Sequence, residues 1–148
     1  MRNKKEISKK KYIESIRKIR LNVFYLKSAS ADIDRDALFK EKPIKHGISI
    51  KDEASIVLKD NDSVDILHRY SLEILSKDKE TKPIGRIDCT FCLNFSPAAC
   101  FTPEFFEEFK KANLHINTRP FFREFVFNIT ARMSIPPILL PLLKAMKK

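Results

Sequence analysis

Arg119-Pro120-Phe121-Phe122-Arg123-Glu124 and Ser134-Ile135-Pro136-Pro137-Ile138-Leu139-Leu140-Pro141 bracket the stretch on which the reading of this chain turns. Thr118 offers a side-chain oxygen as a helix cap, and Pro120 then falls in the first turn, where its missing N–H leaves no bond unmade. Pro136 and Pro137 forbid continuation at the other end. A helix of about four turns is expected between them. Phe122, Phe125, Val126, Ile129 and Met133 recur at three- and four-residue steps and mark one buried stripe, which requires a surface to pack on.

That surface is legible upstream as four strand patterns. From Arg20, Leu21, Val23 and Tyr25 alternate against Asn22, Phe24 and Leu26. An acidic stretch, Asp32 to Asp36, leads into a connecting segment holding Pro43 and Gly47. Ile48, Ile50, Ala54, Ile56 and Leu58 share one parity of a second strand, with a bulge or interruption expected at Asp52-Glu53. Asp60-Asn61-Asp62-Ser63 is a turn by composition, and Ile66, His68, Tyr70, Leu72 and Ile74 follow as the third strand. Beyond a charged turn from Lys77 to Pro83, Ile87, Cys89, Phe91, Leu93 and Phe95 line one face of a fourth strand, with Arg86, Asp88, Thr90 and Asn94 on the other. Thr102-Pro103-Glu104 caps a short helix to about Ala112 that carries Phe105, Phe106 and Phe109. Strands followed by helices predict an α+β fold: an antiparallel meander with one wet face and one face covered by helices.

The bracketed helix resembles the main helix of the SecB family of export chaperones, which opens on Pro-aromatic-x-Arg-Glu and ends on Arg, a short turn and a Pro-rich apolar segment. The matching residues are Pro120, Phe121, Arg123 and Glu124, then Arg132, then Pro136 and Pro137 with the apolar residues after them. The family usually has glycine after that arginine, where this chain has Met133 and Ser134. The resemblance implies a four-stranded antiparallel sheet with a crossover, packed by C-terminal helices and assembled as a homotetramer, a dimer of dimers. It also implies an ATP-independent holdase that binds non-native polypeptides in long apolar grooves and needs no cofactor. Export-type members hand clients to the SecA motor and commonly end in a longer acidic tail, where this chain ends on Lys147-Lys148; other relatives protect a labile antitoxin. Both roles are open. Ile87, Cys89 and Phe91 on the fourth strand and Phe105, Phe106 and Phe109 on the next helix are the expected client contacts. Arg123 and Glu124 are expected to form an ion pair or to fix the helix against its neighbour.

Composition narrows the remaining classes. With 148 residues the chain fits one domain, residues 20–148, preceded by a basic segment, residues 1–19. Tyr12, Ile16 and Ile19 stand at helical steps there on a lysine-rich background, so it is either a short helix or a mobile arm. Residues 1 to 20 hold nine basic and two acidic side chains, and Lys144, Lys147 and Lys148 add three more positive charges, so the net +10 sits on the ends and leaves the body neutral. A basic tail on a neutral domain favours solubility and nonspecific contact with anionic surfaces over specific nucleic-acid readout. The alternative reading from another class is a small nucleic-acid-associated regulator using the Lys-rich arm, although the body offers no helix-turn-helix or RNP-like motif. No apolar leader precedes the domain, and Ile135 to Met146 is too short and proline-broken for a membrane span, so a soluble, cytoplasmic protein without membrane insertion is expected.

No residue pattern supports catalysis. Two glycines, Gly47 and Gly85, leave no phosphate loop. Cys89-Thr90-Phe91-Cys92 has CxxC spacing, but on a strand the two thiols face opposite ways and cannot share an ion, and three cysteines do not make a disulfide framework. His46, His68 and His115 lie in separate segments, and His68 alternates in register with Tyr70 and Leu72 as a packed, hydrogen-bonded core histidine would. No nucleophile motif is present. The chain is therefore expected to be no enzyme and to hold no metal.

Overall fold

The computed structural model describes residues 6–40, 47–75 and 83–141. Most of the connecting segment around Pro43, the charged turn at residues 76–82 and the terminal lysines lie outside the described residues. The strands are β1 (Arg20–Ile33), β2 (Gly47–Lys59), β3 (Ser63–Leu75) and β4 (Gly85–Ser96). The helices are α1 (Lys9–Lys18), α2 (Arg35–Lys40), α3 (Pro103–Lys111) and α4 (Asn113–Arg132).

The hairpin between β2 and β3 closes where the composition places it. Lys59 faces Ser63, and Asp62 in the loop between them takes the left-handed φ of 55° that three-residue hairpins commonly require. β2, β3 and β4 then follow one another as an antiparallel meander. β1 does not join beside β2; it pairs antiparallel with β4, giving the order β1-β4-β3-β2. The chain therefore crosses from one edge of the sheet to the other between β1 and β2, and α2 begins that crossover. This short helix is not apparent in the hydrophobic pattern. Asp34 initiates it by accepting from the Ala37 N–H at 3.0 Å, and Leu38 buries its one apolar anchor.

Two strand readings change. β2 runs in unbroken register from Gly47 opposite Leu75 to Lys59 opposite Ser63, with no bulge at Asp52-Glu53. Asp52 instead stays on the inner face in line with Ile50 and Ala54. The irregularities lie in β1, around Asn22 and Lys27. Each inserts an extra residue and inverts the side-chain parity, so Leu21, Phe24 and Leu26 face inward opposite Phe95, Leu93 and Phe91, while Val23 and Tyr25 face out.

The inner face carries Ile66, Tyr70 and Leu72 of β3 and Ile87, Cys89 and Leu93 of β4, all buried. The outer face is wet: Asp88 accepts from Ser71 and, at 2.8 Å, from Arg86, and Arg69 approaches at 3.4 Å. Helices cover the inner face. α3 starts on a capped turn, with Thr102 Oγ1 accepting from the Phe105 N–H, and packs Phe105 and Phe109 against Phe95 and Phe101. The basic segment contributes to this cluster: Ser8 caps α1, and the Tyr12 ring lies 5.3 Å from Phe105 while its hydroxyl accepts from Asn113.

α4 is longer than its bracketing residues suggest. It begins at Asn113, so Thr118 is no cap and Pro120 is interior. Thr118 is fully buried and donates to the Leu114 carbonyl at 3.0 Å. The carbonyl that Pro120 leaves without a backbone donor belongs to Ile116, on the exposed side of the helix where water can serve it. The buried stripe holds: Phe122 and Val126 are buried, and Phe125, Ile129 and Met133 pack against the core.

The end of α4 closes as a Schellman motif. Ile135 N–H bonds the Thr130 carbonyl, Ser134 N–H bonds that of Ala131, and Ser134 takes φ 54°. A serine thus occupies the left-handed position where glycine is favoured. Ser134→Gly is expected to raise the unfolding free energy by about 0.5–1 kcal/mol, read by urea denaturation. The Pro-rich segment then folds back along the helix. Arg123 Nε donates to the Leu140 carbonyl at 2.7 Å, and Thr130 Oγ1 accepts from the Ile138 N–H at 3.1 Å. Arg123 thus ties the C-terminal segment to α4.

Candidate functional site

Six residues expected from sequence to contact a client, Ile87, Cys89, Phe91, Phe105, Phe106 and Phe109, are buried in the core. The correction has a simple cause. β4 is flanked by β3 and β1, so its inward side chains lie beneath the helices, and the α3 phenylalanines form the stripe by which that helix docks. Phe91 also lines a surface depression.

That depression is a groove of about 370 Å³ between the inner side of β1 and α4. Leu26, Phe91, Phe121, Phe125 and Ile129 form its apolar walls, and Glu124, Asn128 and Arg132 complete the lining. Its phenylalanines are connected: the Phe24 ring lies 5.5 Å from Phe91 and 4.6 Å from Phe121. Leu26 is 43% exposed and Phe121 48%, whereas Phe122, the next residue, is fully buried and stacks on Tyr70 at 4.4 Å. The side chains alternate because consecutive helical positions differ by about 100°, so the Phe121-Phe122 pair places one ring in the groove and one in the core. Phe121, Glu124 and Arg132 of the resemblance motif thus line the groove, and Arg123 holds the C-terminal segment in place. β1 is also an edge strand, with its outer backbone groups unpaired by another described strand.

The thiols divide as their parity requires. Cys89 faces the core opposite Tyr70, and Cys92 faces the outer side opposite Leu67 and Tyr25. Burial pushes the Cys89 thiol up to about 12, with Asp88 adding to the shift. Cys100 is the least buried of the three. In native protein at pH 8, a thiol reagent is expected to modify Cys100 first and to leave Cys89 unmodified until the chain is denatured.

A second constellation joins residues far apart in sequence. His68 Nε2 lies 2.8 Å from Asp52 Oδ2, and His115 Nε2 lies 3.3 Å from the same oxygen. On the far side of each ring, His68 Nδ1 meets Thr118 Oγ1 at 2.9 Å and His115 Nδ1 meets the Tyr70 hydroxyl at 3.2 Å. Tyr70 Oη and Thr118 Oγ1 are 2.8 Å apart. His68 is fully buried and hydrogen-bonded at both nitrogens, as its strand register predicts. The sequence signal for the cluster is that Asp52 and His68 both occupy core parities of adjacent strands, where a polar group needs a partner. His115 gives no such signal because it precedes the expected start of α4. Among the described residues, no helix is long and apolar enough to cross a membrane.

No protein-family profile matches the chain, and no curated protein does. Among solved structures, the Mycobacterium tuberculosis Rv1957 SecB-like chaperone, solved with a ChAD peptide from the Rv1956 HigA1 antitoxin, superimposes with a TM-score of 0.70 at 15% identity, covering 90% of this chain and 97% of that one. A protein of unknown function from Streptococcus agalactiae matches with a TM-score of 0.40 at 10% identity, over 84% of this chain and 98% of that one, a superposition too loose to bear on the fold. The chain has the SecB-like fold.

Proposed function

We propose that this chain, on its SecB-like fold, is an ATP-independent chaperone that holds non-native polypeptides in the groove between β1 and α4. The observation that carries the reading is the half-exposed Phe121 and Leu26 over a floor of Phe91, Phe125 and Ile129. A folded monomer gains nothing by leaving these side chains in water. An extended client that covers them gains about 25 cal/mol for each Å² of apolar surface buried. Its backbone can also pair with the free edge of β1, which adds affinity without demanding a sequence. Shape-tolerant apolar walls and sequence-blind backbone pairing together suit a binder of many unfolded chains.

Two finer assignments belong to the same proposal. The client is a labile polypeptide of the antitoxin kind, a reading supported by the peptide bound to the mycobacterial relative; delivery to SecA for export is the other role the fold accommodates. The working form is a homotetramer in the cytoplasm, in which partner chains cover apolar side chains such as Ile116 and Phe127 that α4 leaves in solvent. The test is light scattering of an aggregating unfolded client. Stoichiometric wild-type protein is expected to suppress the signal equally with and without ATP and at moderate salt, since the attraction is mainly apolar. Unchanged aggregation, together with salt-sensitive DNA binding that depends on residues 1–20, would replace this reading with the nucleic-acid-associated one.

A further inference from the structure

One assignment of hydrogen atoms satisfies every contact of the polar cluster when the Thr118 hydroxyl is taken as the donor to its own helix. Thr118 is interior to α4, and its only hydroxyl proton goes to the Leu114 carbonyl at 3.0 Å. Thr118 Oγ1 must then accept from both of its other neighbours, the His68 Nδ1–H at 2.9 Å and the Tyr70 O–H at 2.8 Å. That commits the single proton of Tyr70, so its oxygen accepts from the His115 Nδ1–H at 3.2 Å. Both neutral imidazoles therefore carry their proton on Nδ1. In this assignment both Nε2 lone pairs face one carboxylate oxygen, Asp52 Oδ2, at 2.8 and 3.3 Å.

Three converging lone pairs repel unless a cation lies among them. A divalent metal at their meeting point supplies that charge. The Nδ1 bonds to Thr118 and Tyr70 are the outer-shell contacts that fix ring tautomer and direction in histidine metal sites.

The geometry points to Asp52, His68 and His115 as a binding site for one divalent transition-metal ion of the zinc class. The three ligand atoms already lie within 4.8 Å of one another. Tetrahedral zinc with bonds of about 2.0–2.2 Å needs ligand atoms about 3.3 Å apart, a spacing that the His115–Asp52 pair meets at 3.3 Å and the His68–Asp52 pair approaches at 2.8 Å. Asp52 and His115 are partly exposed, which gives an ion a path from solvent and leaves a fourth position for water. Two imidazoles and one carboxylate favour zinc, cobalt or nickel over calcium or magnesium, which prefer all-oxygen shells. The ion would tie β2, an edge strand, to β3 and to the first turn of α4.

The site is testable on the full-length protein after chelator treatment. Calorimetric titration with zinc is expected to saturate at one ion per chain and to raise the thermal midpoint as free zinc rises. Cobalt is expected to give visible bands of a four- or five-coordinate nitrogen and oxygen shell, with no thiolate charge-transfer band. Asp52→Asn and His115→Gln are each expected to lower affinity at least tenfold, and Tyr70→Phe, which removes the hydroxyl holding His115, by about tenfold or more. The cobalt spectrum of the wild type reads the donor set even if a variant misfolds. No saturable binding at micromolar zinc, a thiolate band, or affinity unchanged in folded Asp52→Asn and His115→Gln would overturn the proposal.

Discussion

Phe121→Ser is expected to weaken holding of an unfolded client at least tenfold while leaving stability within about 1 kcal/mol of wild type. The ring is half exposed, so its removal costs the core little, yet it lines the groove, where truncating an aromatic anchor commonly costs about 2 kcal/mol or more of binding. Fluorescence titration of a labelled unfolded peptide, read beside urea denaturation of the same variant, separates the two effects. Equal loss of stability and binding would place Phe121 in the core and leave the groove without its main wall.

The adjacent residue carries the largest stability effect. Phe122→Ala is expected to lower the unfolding free energy by about 3–5 kcal/mol, because a fully buried ring is lost together with its stacking partner Tyr70. Phe106→Ser belongs with it, since Phe106 is buried under the Lys110 ammonium, 5.1 Å from its ring. Urea titration checks both. A loss below about 1 kcal/mol at Phe122 would show that α4 does not seal the sheet as described.

Periodicity made much of this fold legible. The inner faces of β3 and β4, the Thr102 cap of α3 and the buried stripe of α4 follow from side-chain spacing, because each buries one face against a single partner surface. Three features escape that logic. The bulges in β1 invert parity within one strand, so Leu21 and Val23, alike in pattern, end on opposite faces. The start of α4 lies before Pro120, because tertiary burial of Leu114 and Thr118 outweighs the proline's preference for a first turn. The crossover puts β1 beside β4, a long-range pairing that no local pattern encodes.

The site was harder to read for a related reason. Aromatic content marks apolar surface but not which rings stay in water. Phe105, Phe106 and Phe109 cluster as conspicuously as Phe121 and Phe125, and only the docking of α3 against β4 decides that the first three are core. The helical motif did hold the answer in part, since Phe121, Glu124 and Arg132 line the groove. Asp52 was visible as an anomaly on a core parity, but its partner His115 comes from a helix turn that the sequence does not announce.

The most direct test of the account is site-specific photo-crosslinking to an unfolded client. A photoreactive residue replacing Asn128, at the groove lining, is expected to crosslink the client efficiently in the absence of nucleotide, whereas one replacing Arg69, on the wet outer face, is expected to give little product. Crosslinking that is equal at both positions, or stronger at Arg69, would contradict the assignment of the β1–α4 groove as the surface that holds non-native chains.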